Sequence, residues 1–119
     1  MFGKANPYNL DCPSRDFLEL AGGKWTVLIL CALRDGVMRT GDLKRRVGGI
    51  SQKMLSQTLK ALQFNGLVDR TSYGEVPPRV EYKLTKLGHS LSELAAGMEH
   101  WVVSNYPAIL ESRASADLS

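Results

Sequence analysis

Hydrophobic positions along the chain fall into a few periodic runs, and the most informative is residues 51–66, SQKMLSQTLKALQFNG, which follow the turn Gly48-Gly49-Ile50. Leu55, Leu59 and Leu62 recur at spacings of four and three and form one apolar stripe, while Lys53, Ser56, Gln57 and Lys60 share the opposite side. Residues 24–33 are apolar almost throughout, from Trp25 to Leu33, and predict a buried central helix closed by Gly36. At ten residues that run is too short to span a bilayer. Residues 13–21 predict a preceding helix, with Pro13 at its first position, Asp16 in its first turn and Gly22-Gly23 as its stop. Phe17, Leu18 and Leu20 are its expected core contacts.

Downstream the period changes. Residues 68–73 and 79–84 are β-prone, with Val80, Tyr82 and Leu84 alternating with Glu81 and Lys83, and 74–78 supply a rigid tip: a hairpin. Arg39-Thr40 reads as a short extended piece, and 41–47 as a short helix. A short helix, a glycine turn and a longer helix form a helix-turn-helix, and a hairpin directly after it is a wing. Thr85 is the expected N-cap of a long helix to about Tyr106, where Pro107 is expected to break or kink it before a last turn. Residues 112–119 are small and polar and read as a frayed tail.

The long helix is unusual in what it leaves uncovered. Leu84, Leu87, Leu91, Leu94, Met98 and Trp101 repeat at 3-4-3-4-3 spacing, and Ala95, Val102 and Tyr106 widen the stripe. This is more apolar surface than one small domain covers, so Leu87, Leu91, Leu94, Met98 and Trp101 are expected to pair with a second copy in a homodimer, Gly97 allowing close approach. Packing wholly against its own domain is the alternative.

The fold class that emerges is mainly α with a β-hairpin wing: a winged helix-turn-helix with N- and C-terminal dimerisation helices. A length of 119 residues suits one domain, with 40–84 as helix-turn-helix and wing and 12–22 and 85–112 as the dimerisation helices. No run approaches membrane-spanning length and the first residues lack an apolar signal segment, so the expected location is cytoplasmic.

Net charge is +3, but its distribution matters more. Residues 39–60 hold Arg39, Lys44, Arg45, Arg46, Lys53 and Lys60 against Asp42 alone, and elsewhere the charges nearly cancel. The helix at 51–66 has no acidic residue; hydroxyl, amide and ammonium groups are what phosphates and base edges accept. Double-stranded DNA is the expected partner, through Arg39, Lys44, Ser51, Gln52, Lys53, Ser56, Gln57, Lys60 and Arg79. Two readings stand for Arg79: a minor-groove or phosphate contact, or a surface arginine paired with Glu75 or Glu81.

Cys12 precedes Pro13 at a helix N-terminus, where the dipole favours a thiolate; Arg15 would help and Asp11 and Asp16 oppose. Cys31 lies in the apolar helix and reads as core filler. His89 and His100 stand in no nucleophile-base pattern, and with the cysteines they show no metal-ligand spacing, so neither enzyme nor cofactor nor metal site is expected. A winged-helix protein-interaction module is the stronger rival, and the acid-free helix argues against it.

Several blocks in order carry a resemblance: Cys12-Pro13, Gly22-Gly23-Lys24-Trp25-Thr26, Gly49-Ile50-Ser51-Gln52-Lys53-Met54-Leu55, Asn65-Gly66-Leu67-Val68 and Glu75-Val76-Pro77-Pro78-Arg79-Val80-Glu81-Tyr82. Over about residues 12–105 the chain resembles the HxlR-type winged-helix transcriptional regulators, relatives of the MarR group. The resemblance implies a dimer on a partly palindromic operator, with 49–66 in the major groove and the wing near the minor groove; repression is the default expectation because a dimer covering its own promoter blocks polymerase. It also implies a candidate sensor of oxidants or small electrophiles at Cys12; a regulator responding to a small-molecule ligand at the dimer interface is the alternative reading.

Overall fold

The computed structural model describes residues 4–118, and its core is assembled around α2 (Lys24–Leu33). Ile29, Leu30, Ala32 and Leu33 are buried, as a helix apolar on nearly every side requires. Against this core α1 (Pro13–Ala21) lays Phe17 and Leu20, which three-residue spacing puts on one face. Leu18, expected in the core, is instead exposed, because it lies about 100° round the helix from Phe17.

The chain continues through β1 (Met38–Arg39), α3 (Thr40–Arg46), α4 (Gln52–Phe64), β2 (Val68–Ser72), β3 (Val80–Leu84) and α5 (Lys86–Leu118). Leu43, Val47, Ile50, Leu55, Leu59 and Leu62 are buried together and fix α4 against α2 and α3. Gly49 takes φ +84° in the turn between α3 and α4, a backbone angle that side-chain-bearing residues avoid. The strands form one antiparallel sheet in the order β1-β3-β2, with Met38 opposite Tyr82 and Val68 opposite Leu84. The extended piece begins one residue earlier than expected and pairs with the hairpin. This pairing ties the wing to the start of α3.

Thr85 caps α5 as expected: its Oγ1 accepts the Gly88 N–H at 2.9 Å and donates to the Gly66 carbonyl at 2.6 Å. A Cβ on Gly88 would lie 1.9 Å from the Leu67 carbonyl oxygen, so only glycine lets α5 start this close to β2. Farther along, the buried Ser92 hydroxyl donates to His89 O at 2.7 Å and accepts from Arg34 Nη1 at 3.0 Å.

Two expectations for α5 are overturned. The helix does not end near Tyr106 but runs through Pro107 to Leu118, and residues 112–118 are helical rather than frayed. Proline removes one backbone donor, yet the turns on both sides of it are already helical, so no new nucleation is needed. One turn earlier, the Asn105 amide donates to the Trp101 carbonyl at 2.8 Å and adds local support. Of the expected interface side chains, Leu91 packs on the core, whereas Leu87, Leu94, Met98 and Trp101 are exposed, Leu94 by 72%. Val102, Val103, Tyr106 and Leu110, farther along α5, are exposed as well.

Candidate nucleic-acid interface

Ser51 opens α4 in extended conformation and its hydroxyl accepts the Met54 N–H at 3.0 Å, satisfying a donor that the helix start would otherwise leave free. With Leu55, Thr58, Leu59 and Leu62 turned inward, Gln52, Lys53, Ser56, Gln57 and Lys60 all point outward and are exposed. Gln52 and Ser56 are joined by a 3.3 Å hydrogen bond. Arg39 and Lys44 are exposed as well.

The basic block divides in two. Arg45 pairs with Asp42 in its own helix, and Arg46 pairs with Asp35 at 2.8 Å. Arg39, Lys44, Lys53 and Lys60 form no ion pair among the described residues, which leaves their charge for an outside partner. Between α4 and the wing lies a cleft of about 540 Å³ lined by Gln52, Ser56, Lys60, Gln63, Arg70 and Tyr82. Arg70 was not among the sequence candidates. The available signal was its place two residues after Val68 in β2 and opposite Tyr82, which turns it to the α4 side of the sheet.

A second cleft, about 430 Å³, lies between α3 and the wing base, and Arg39, Thr40, Arg45 and Arg79 line it. Arg79 sits 3.5 Å from Glu75 and 3.9 Å from Glu81, and its guanidinium stacks 3.8 Å from the Tyr73 ring centre. The carboxylate pairing weighed from the sequence is therefore present.

Cys12 stands apart from this surface, as N-cap residue of α1. Its Sγ lies 3.0 Å from Ser14 Oγ and accepts the Asn6 N–H at 3.5 Å. Those bonds, Ser14 first, lower the thiol pKa below its ordinary value. Arg15, Asp11 and Asp16 are not among the causes, so the effect comes from hydrogen bonds rather than charge. Cys31 behaves oppositely: burial and neighbouring Glu99 push its pKa up to about 11. Both thiols are free.

A helix-turn-helix whose second helix projects an acid-free polar face beside a β-hairpin defines the winged helix-turn-helix class of DNA-binding proteins. Residues 20–109 match the HxlR-like helix-turn-helix family, and the chain belongs to it as a DNA-binding transcriptional regulator. It is 46% identical over 110 residues to the uncharacterized HTH-type transcriptional regulator YtfH of Escherichia coli strain K12, covering 92% of this chain and 87% of that one. The solved structure of the regulator ytfH from Salmonella typhimurium superposes with TM-score 0.90 at 46% identity, over 93% of this chain and 99% of the other. The redox regulator HypR in its oxidized form is similar too, with TM-score 0.71 and 37% identity over 79% of this chain and 97% of that one.

Proposed function

We propose that the protein represses transcription by binding a partly palindromic operator as a homodimer, and that modification of Cys12 by an oxidant or electrophile alters this binding. The observation that carries the DNA reading is the exposed, acid-free face of α4 flanked by cations without ion pairs. Lys53, Lys60, Arg39 and Lys44 serve phosphates; Gln52 and Gln57, near the helix start, serve base edges; Ser51 and Ser56 add hydroxyl contacts. Arg70 and Arg79 approach the backbone or minor groove from the wing. A dimer places two α4 helices one DNA turn apart and covers the α5 stripe, and a dimer on a promoter blocks polymerase without further contacts.

Duplexes selected from a random library, titrated with wild type and variants in a salt series, test this reading. Lys53→Ala and Lys60→Ala should weaken binding to every duplex and each reduce the salt slope by about one unit. Gln52→Ala and Gln57→Ala should flatten sequence preference. Unchanged behaviour in all four variants removes α4 from the interface.

The lowered thiol pKa of Cys12, and the likeness to a redox regulator, support sensing. An adduct or disulfide at Cys12 changes how α1 seats and so the spacing of the two α4 helices; a coupling of about 1–3 kcal/mol changes occupancy severalfold to a hundredfold. Diamide should weaken DNA binding of wild type and of the Cys31→Ser control, but not of Cys12→Ser. Equal loss in wild type and Cys12→Ser would transfer sensing to a ligand. The second reading, a ligand at the dimer interface, is favoured by an apolar groove of about 350 Å³ between α2 and α5, lined by Val27, Leu28, Met98, Val102 and Val103 with Lys24 and Glu99 at its edge.

A further inference from the structure

Two glutamines project from the outer face of α4, and the structure treats them differently. Gln57 makes no hydrogen bond among the described residues, so nothing fixes its amide. Gln52, the first residue of α4, donates from Nε2 to the Oγ of Ser56 one turn along, at 3.3 Å. Both partners are exposed, so the bond contributes little to folding. Its effect is on the direction of the amide. The N-terminal residues of the second helix are the ones that meet base edges in a helix-turn-helix, and a side chain already oriented there has less rotamer freedom to lose on binding.

The bond also decides which atoms of the amide remain. A glutamine carries two N–H donors and one carbonyl acceptor, and with one N–H committed to Ser56 there is one donor left beside Oε1. In the major groove adenine presents N7 as acceptor and N6 as donor, which that pair matches; guanine presents N7 and O6, both acceptors, and would set O6 against Oε1. The Ser56 hydroxyl accepts from Gln52 and keeps its own proton for DNA. We infer that Gln52 reads adenine, through N7 and N6, at one position of each half-site, and that Ser56 is the positioning residue that holds its amide for that contact. This rests on the reading that α4 enters the major groove.

The test uses the full chain and duplexes selected from a random library by wild type and, in parallel, by Gln52→Ala. One adenine per half-site should give way to mixed bases in the second pool. The wild-type duplex is then remade with guanine or with 7-deazaadenine, which lacks the N7 acceptor, at that position alone, and titrated by fluorescence anisotropy. Guanine should weaken wild type about tenfold and 7-deazaadenine severalfold, within the range a bidentate pair carries, and neither should penalise Gln52→Ala. Ser56→Ala should shrink the guanine penalty to about threefold by freeing the amide, while Ser56→Thr, which keeps the hydroxyl, retains it. In the Gln52→Ala background Ser56→Ala should not alter the penalty. Identical pools, or a base other than adenine at the affected position, would overturn the inference. So would an unaltered guanine penalty in Ser56→Ala, with or without a uniform loss of affinity. Wild type that selects no duplex would sink the DNA reading itself, an outcome distinct from all of these.

Discussion

Helices α4 and α5 each bury one face, and they differ in what they do with the other. In α4 the outer face is hydroxyl, amide and ammonium groups, so leaving it in water costs nothing and an anion can still improve on it. In α5 the outer face is Leu87, Leu94, Met98 and Trp101, which water does not satisfy. An exposed polar face is compatible with a solitary chain; an exposed apolar stripe this long is what the proposed dimer would cover. Exposure alone therefore identifies no partner; the chemistry of the exposed groups separates the proposed nucleic-acid surface from the proposed dimer surface.

The largest effect is expected where that contrast is erased. Leu94→Glu or Trp101→Glu places charge in a contact that offers it no partner, costing about 3–5 kcal/mol of association. Sedimentation equilibrium should show monomer for both variants and dimer for wild type and Lys53→Ala, and DNA binding should fall with the dimer. A wild-type monomer at micromolar concentration would break the comparison at its root.

Next in size is the joint between the two regions. Gly88→Ala forces a methyl against the Leu67 carbonyl and must push α5 away from β2, at about 1–3 kcal/mol or more of overpacking strain. Thermal denaturation should register the loss. An unchanged melting temperature would mean that the contact yields freely and that α5 is not rigidly fixed to the wing.

How much of this was legible in the sequence depends on periodicity. The α4 stripe, the hairpin and the Thr85 cap each rest on local spacing or a single side chain, and all three are found where local chemistry put them. Leu18 and Pro107 show the limit. Whether a leucine on an amphipathic helix is covered depends on which neighbour arrives, and whether a proline ends a helix depends on the support on both sides of it. Arg70 escaped notice because its relevance comes from strand register with Tyr82, and the pairing of β1 with β3 joins residues far apart in the chain. The division of the basic block into paired and free cations likewise required coordinates: Asp35 meets Arg46 only once α2 and α3 pack.

A smaller effect distinguishes the covered side of α5 from its open side. Cys31 lies beside Glu99 with its pKa raised from 9.0 to about 11. Below pH 9 its thiol is protonated folded and unfolded, and contributes no pH dependence; as pH rises from about 9.0 toward 11 the unfolded chain loses that proton first, so folding stability declines. Cys31→Ala should flatten the decline, measured by urea titration across that window. Iodoacetamide at neutral pH should modify Cys12 and spare Cys31, and rapid labelling of Cys31 would show that α5 lifts from α2.

The smallest effect tests whether the polar face of α4 is functional or merely well capped. Ser51 serves the fold by accepting the Met54 N–H, and it serves the proposed interface by presenting a hydroxyl at the start of α4. Ser51→Ala removes both and should cost about 1 kcal/mol of stability. Ser51→Asp restores the cap and suits the helix dipole, yet brings a negative charge to where a phosphate is expected. Stability should therefore return to near wild type in Ser51→Asp while affinity for every duplex falls below that of Ser51→Ala. Parallel recovery of stability and DNA affinity in the aspartate variant would show that Ser51 acts through the helix alone, and would move the phosphate contact away from this end of α4.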